Sequence, residues 1–292
     1  MQAQEMISDN RTNTIYFSDL LRTDERYSET FNDLKRVLDA SGMQYDFLKK
    51  TRDIWARDYM PIQVSKDKFV EFRFDPDYLQ GSGRERRELK TYPDIVCDDL
   101  RIKTVKSDII LDGGNVIKSD NAVIMTDKFL MENWRTYTEP VLIQELEKLF
   151  ETERIIIIPQ DPGDIYGHTD GTVRFIDNDT VLLNWYYRTS EQYFRKSLLD
   201  PITEKGLKYE WLDLGLDSDK IDGYNWAYIN FLQTEDLILV PKLGIKEDDI
   251  AFSQICNFYK SYADRGRVFQ VDSRQVVEKE GALNCISWTI MK

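Results

Sequence analysis

An α/β ring of five strand–strand–helix–strand units is the fold this sequence predicts, on three observations. Short apolar runs alternate with amphipathic stretches along the chain, the order strand, strand, helix, strand recurs, and five polar clusters mark the recurrence. The clusters are Trp55-Ala-Arg-Asp58, Leu111-Asp-Gly-Gly-Asn115, Gly167-His-Thr-Asp170, Tyr224-Asn-Trp226 and Asn284-Cys285. From Asp58 to Asp112, Asp170, Trp226 and Cys285 the steps are 54, 58, 56 and 59 residues. A near-constant step of this size is a repeat signature, and closing the repeats into a ring removes exposed sheet edges.

The elements follow in order. Residues 14–17, 25–40 and 44–48 read as strand, helix and strand, with Tyr27, Phe31, Leu34 and Leu38 on one helical face. Residues 60–98 fit a unit loosely: Lys68-Phe-Val-Glu-Phe-Arg-Phe74 is a strand, but Gly81-Ser-Gly83 and Pro93 disturb the helix. Residues 109–158 give a hairpin, a helix near 139–150 and a strand at 154–158; Thr138 and Pro140 signal the helix start, and Leu142, Leu146, Leu149 and Phe150 form its apolar face. Residues 171–214 give a hairpin turning at Asp177-Asn-Asp-Thr180, a helix near 190–199 and a strand at 208–214. Residues 227–271 give a hairpin of 227–232 and 237–240, a helix near 248–259 and a strand at 267–271. The last strand, Ile286–Ile290, has no helix after it, so the N-terminal elements supply the missing half and close the ring. One catalytic domain over residues 1–292 is expected.

His168 is the only histidine in 292 residues, and it stands beside Asp170 in a glycine-punctuated turn. A lone loop histidine usually has no task, but equivalent entrance positions of a five-unit ring converge on its axis. Carboxylates, one histidine and one cysteine would then meet in one pocket. With 39 basic and 52 acidic side chains the net charge is −13, which argues against nucleic acid as a partner and weakly favours a cationic small molecule. No apolar run is long enough to span a bilayer, and the polar start is not a secretion signal. Cys97, Cys256 and Cys285 are odd in number and in no paired motif, so they read as free thiols in the cytoplasm and not as a zinc site or a disulfide frame.

These residues resemble the agmatine deiminase and bacterial-type peptidylarginine deiminase group of the guanidine-modifying pentein superfamily. The resemblance runs from about residue 50 to the end. It rests on Trp-x-Arg-Asp (Trp55, Arg57, Asp58), the acidic Gly-Gly motif (Asp112, Gly113, Gly114), Gly-His-x-Asp (Gly167, His168, Asp170) and a cysteine close to the C-terminus, Cys285. Tyr228-Ile-Asn-Phe and Leu239-Val-Pro-Lys-Leu-Gly are similar to the stretch between the last two motifs. It implies a five-bladed pseudo-symmetric α/β propeller, the pentein fold, with no cofactor and no metal. The chain departs from the group in having Asp112 where glutamate is usual, Met60 where glycine is common, and Leu283-Asn284 before the cysteine.

On that resemblance Cys285 is the nucleophile, His168 the proton carrier and Asp112 its orienting partner. A guanidinium is flat and cationic with five donors, so Asp58 and Asp170 would clamp its nitrogens, while Trp55 and Trp226 wall the pocket. Arg57 and Asn284 complete the expected substrate-binding set, Arg57 being as readily a structural ion-pair partner. Cys97 and Cys256 read as packing residues. The expected reaction is hydrolysis of a small guanidino substrate, agmatine first, to a ureido product and ammonia. Arginine or peptidyl-arginine, amidino transfer to an amine, and plain guanidinium binding are the alternatives. Arg84, Arg86 and Arg87 are candidates to cover the mouth, and a homodimer is the candidate protein assembly.

Overall fold

The structure, a computed structural model, describes residues 5–80, 87–188, 190–216 and 225–292. In chain order the first elements are β1 (Thr14–Ser18), α1 (Ser28–Ser41) and β2 (Gln44–Leu48). The next unit is β3 (Ile62–Ser65), β4 (Lys68–Arg73), α2 (Pro93–Leu100) and β5 (Val105–Ile110). Then come β6 (Ile117–Lys118), β7 (Val123–Thr126), α3 (Glu139–Phe150) and β8 (Ile155–Ile158). A fourth set is β9 (Val173–Phe175), β10 (Thr180–Asn184), α4 (Gln192–Glu204) and β11 (Lys208–Leu212). The chain ends with β12 (Leu232–Gln233), β13 (Ile238–Lys242), α5 (Glu247–Phe258), β14 (Val268–Asp272) and β15 (Ser287–Ile290).

These strands form five three-stranded sheets. In four of them an antiparallel hairpin is followed by a helix and a parallel third strand. The last sheet is built from both ends of the chain: β15 runs antiparallel to β1, with Thr14 opposite Ile290, and β1 runs parallel to β2. Asn13 and Lys292 seal the seam, the Lys292 amide donating to Asn13 Oδ1 at 2.9 Å. The expected closure is what the chain does.

Local chemistry explains the elements. On α1, Leu34, Val37 and Leu38 are buried, and Gly42 ends the helix at φ +73°, a conformation glycine adopts without a Cβ penalty. On α3, Leu142, Leu146 and Phe150 are buried and Pro140 sits in the first turn, where its missing N–H costs nothing. The middle strands are buried on both faces because successive side chains serve different cores. Val123 and Met125 of β7 pack with Leu142 and Leu146 of α3, whereas Ile124 packs with Val181, Leu183 and Leu198 of the next unit. Each sheet is thereby held between its own helix and its neighbour's, and the buried apolar residues described fall into four clusters around the ring.

Two boundaries differ from the sequence expectation. Pro93 does not disturb the second unit's helix but starts it, and β5 extends that unit to Ile110, so the following unit begins at β6 and not at 109. Gly81-Ser-Gly83 lies outside the described residues. The stretch 227–232 is not a strand: Asn225–Ile229 forms a 3₁₀ turn and β12 keeps only two residues. A short apolar run does not by itself distinguish a strand from a buried turn.

Candidate active site

Every hairpin is entered through a short turn: Ala56–Tyr59, Gly113–Asn115, Thr169–Gly171, Asn225–Ile229 and the turn around Asn284 and Cys285. Hydrogen bonds join these turns one to the next around the axis. The Arg57 amide donates to the Cys285 carbonyl at 3.0 Å. The Gly114 amide donates to Asp58 Oδ1 at 3.1 Å, and Thr169 Oγ1 donates to Asn115 Oδ1 at 2.7 Å. Asn184 Nδ2 bridges the Gly171 and Trp226 carbonyls at 3.0 and 3.1 Å. The Asn284 amide closes the circuit on Asn230 Oδ1 at 3.1 Å.

Inside this circuit the expected residues meet. His168 Nε2 is 3.0 Å from Asp112 Oδ2, and its Nδ1 is 3.6 Å from Asp58 Oδ1. Cys285 Sγ lies 3.6 Å from Asp170 Oδ2 and 3.4 Å from Asn230 Oδ1. Asn284 Nδ2 donates to Asp170 Oδ2 at 2.7 Å and so orients that carboxylate. Asp58, Asp112, His168, Asp170, Asn284 and Cys285 are all buried. The double glycine is a packing requirement: a Cβ on Gly113 would lie 2.0 Å from the Arg57 carbonyl oxygen, and one on Gly114 2.5 Å from Asp58 Oδ1. Trp55 is half-buried against Gly281, where a Cβ would come within 2.1 Å of its ring. Trp226 is half-buried beside Gly171.

Residues 4–290 match the model of the Porphyromonas-type peptidyl-arginine deiminase family. The chain belongs to this family. A Mycoplasma mycoides protein that carries the name agmatine deiminase by assignment is 20% identical over 223 residues, which cover 66% of this chain and 60% of that protein. The chain thus matches somewhat less than two thirds of that curated relative. An Enterococcus faecalis protein named in the same way is 20% identical over 297 residues, 89% of this chain and 80% of its own length. The solved agmatine deiminase of C. jejuni superposes with a TM-score of 0.75 at 16% identity, covering 99% of this chain and 96% of that one, and shares the five-bladed propeller.

The charges of this buried cluster perturb one another. Burial pushes the Asp58 carboxyl up to about 8, opposed by His168 and reinforced by Asp112 and Asp170. Burial disfavours the imidazolium of His168, but Asp58 and the hydrogen-bonded Asp112 outweigh it and raise the ring to about 10. Burial, with Asp170 and Asp58 beside it, pushes the Cys285 thiol well above its usual value. Asp53, behind the Trp55 amide that donates to it at 3.0 Å, is pushed to about 7 by burial. The other thiols differ in setting: burial raises Cys97 to about 12 and raises Cys256 also, with no carboxylate–histidine cluster at either.

Arg57 stands apart from its expected role. Its guanidinium faces Asp9 Oδ1 at 3.7 Å and the Asn284 carbonyl at 3.5 Å, so it braces the cysteine turn from behind. Asp9 is shared with Arg174, whose Nη2 donates to it at 3.0 Å. Of the loop arginines, Arg84 and Arg86 lie outside the described residues, as does Tyr224, and Arg87 is exposed. Sequence reasoning missed Asn230 and Tyr78. Asn230, fully buried, accepts from the amides of both Asn284 and Cys285, at 3.1 and 3.3 Å. Its signal was available, since an asparagine inside the apolar run Ala227–Leu232 must be hydrogen-bonded if buried. Tyr78 donates to Asp112 Oδ2 at 2.7 Å from a segment with no motif. Asp112 Oδ1, Asn284 Oδ1 and Asn230 Nδ2 are buried without a hydrogen-bond partner among the described residues, which leaves polar capacity pointing at the cluster.

Proposed function

We propose that this chain is a cysteine-dependent hydrolase that deiminates a small guanidino compound, with agmatine the first candidate. The observation that carries the reading is the convergence of the Cys285 thiol, His168 and the carboxylates of Asp58 and Asp170 in one buried cluster. Asp170 stands beside the thiol and Asp58 beside the imidazole, so a guanidinium held between the two carboxylates has its central carbon between nucleophile and proton carrier. The bound cation also offsets the carboxylate charge that holds the thiol protonated, and so favours the thiolate.

The Cys285 thiolate attacks the guanidinium carbon, forming a C–S bond and a tetrahedral adduct. The adduct collapses with cleavage of one C–N bond; His168 gives its proton to the leaving nitrogen, which departs as ammonia. Water then attacks the amidino-cysteine intermediate, His168 takes its proton, and the C–S bond breaks to release the ureido product and the thiolate. Asp112, bonded to Nε2, holds the ring with Nδ1 towards Asp58 and stabilises its charged form. Asn230 and Asn284 set the thiol and Asp170 in place, and Trp55 and Trp226 wall the site. No step calls for a metal or cofactor.

Agmatine is favoured by charge. Four carboxylates, those of Asp53, Asp58, Asp112 and Asp170, influence one another here, and Arg57 on the same turn as Asp58 is engaged by Asp9. The test is ammonia release from agmatine, arginine and a C-terminal arginine peptide, with no amine acceptor present. The expected result is N-carbamoylputrescine and ammonia from agmatine at a higher kcat/KM than from arginine. Turnover that needs an added amine would make the protein an amidinotransferase, and faster citrulline formation on the peptide would move the substrate choice.

A further inference from the structure

Beyond the reacting cluster, two aromatic rings and a carboxylate meet on its solvent side. The Tyr166 hydroxyl donates to Glu280 Oε2 at 2.5 Å. Tyr166 precedes His168 by one glycine, and Glu280 lies in the approach to Cys285, so this bond bridges the segments carrying the proton carrier and the nucleophile. Tyr166 is half-buried and Glu280 exposed, whereas His168 and Cys285 are buried, which puts the bridge outside both. Tyr78 packs edge-on against Tyr166 with ring centres 5.0 Å apart, and the two rings stand 6.2 and 6.1 Å from the His168 ring. The carboxylate end is fixed as well. Glu280 is held at φ +66°, its amide donates to the Val277 carbonyl at 3.0 Å, and the following Gly281 is pinned under Trp55. A bulky residue in the left-handed region persists only where its surroundings enforce it.

We propose that Tyr166 and Glu280 form a latch across the mouth of the pocket that admits slender guanidino compounds and excludes arginine carried on a peptide. This deepens the deiminase reading and rests on it. With the bond closed, a single methylene chain ending in an ammonium is admitted, whereas a peptide backbone at the same depth requires the hydroxyl–carboxylate bond to break. Hydrogen bonds to ionised acceptors are among the stronger ones, so the open form is a minor population and bulky substrates lose at least about tenfold in effective affinity.

Two measurements on the full-length chain test the latch. Tyr166→Phe keeps the ring and its packing on Tyr78 while removing the donor, and Glu280→Ala removes the acceptor. In both, the ratio of kcat/KM for a C-terminal arginine peptide to that for agmatine is expected to rise about tenfold or more; a ratio within about twofold of wild type overturns the latch. The second readout needs no guanidine turnover: alkylation of Cys285, followed by peptide mass, with iodoacetamide and with a pyrene maleimide. Selective acceleration of the bulky reagent in both variants supports the latch, and equal acceleration or none overturns it. If wild type releases ammonia from no guanidine, the deiminase reading fails while the alkylation ratio still decides the latch.

Discussion

Protons are already placed around the Cys285 thiol before any substrate arrives, and their positions set the pH behaviour. Asp58 is raised to about 8 and His168 to about 10, by burial in the first case and by neighbouring carboxylates acting against burial in the second. In the proposed mechanism substrate binding needs Asp58 ionised and catalysis needs His168 protonated, so kcat/KM should rise through about pH 8 and fall through about pH 10. Both folded values lie above the ordinary ones of 3.8 and 6.5, so each contributes stability fully present below the ordinary value and lost as pH rises through the folded one. The Asp58 contribution is lost between about pH 4 and 8 and the His168 contribution between about pH 6.5 and 10, so Tm should fall most steeply where they overlap, from about pH 6.5 to 8, and a rising Tm there would contradict the assignment. Asp58→Asn and Asp170→Asn should each cost roughly 2–5 kcal/mol in kcat/KM, the loss expected on removing a buried charged partner, and Asp58→Asn should also erase the acid limb. His168→Gln should lower kcat by about 10²–10⁴ with KM little changed. Near wild-type kcat/KM in Asp170→Asn would break the guanidinium clamp. The sequence showed these residues because each carries unusual chemistry in one of the evenly spaced entrance turns. Asn230 and Tyr78 were hidden because their work is to orient other side chains, which depends on packing and not on a local motif.

The entrance turns are where sequence is most tightly bound to function. Gly113 faces backbone and Gly114 faces side chains, so the same substitution should act differently at the two positions. The Arg57 carbonyl, 2.0 Å from a Gly113 Cβ, is backbone of the residue whose amide joins the axial circuit, so Gly113→Ala should lower Tm sharply. Gly114→Ala should fold with a loss of about 1–3 kcal/mol yet displace Asp58 and His168 Nδ1, 2.5 and 2.7 Å from the new methyl, and lose most turnover. Comparing thermal melts with ammonia release separates these outcomes; wild-type turnover in Gly114→Ala would contradict the geometry. Periodicity located α1, α3 and α5 because their apolar faces are regular, and α3 matched its expected bounds of 139–150. It misplaced β5 and the start of the third unit because a strand beginning Val105-Lys-Ser-Asp is polar and exposed for most of its length. It also overextended the 227–232 strand, where buried apolar residues follow a turn and not a pleat.

At the scale of the whole molecule the ring has one seam, and Cys285, the proposed nucleophile, lies next to it. Cys285 lies two residues before β15, whose four residues are all buried and pair with β1, and Trp288 Nε1 donates to the Pro61 carbonyl at 2.7 Å across to the neighbouring blade. Deleting residues 287–292 should expose the β1 edge and abolish cooperative unfolding; a truncated chain melting like wild type would show that closure is dispensable. Closure was legible because the four near-equal steps between the five clusters and the unpaired last strand both required it, whereas which of the N-terminal strands pairs with β15 needed the fold. The central claim is that Cys285 forms a covalent amidino intermediate on the way to a ureido product. Rapid acid quench during agmatine turnover, followed by peptide mass analysis, tests it directly. The predicted result is an amidino adduct on the Cys285 peptide that decays as N-carbamoylputrescine accumulates, and that is absent with Cys285→Ala, where turnover ceases. Product formation by Cys285→Ala, or an adduct on Cys97 or Cys256 instead, would contradict the account.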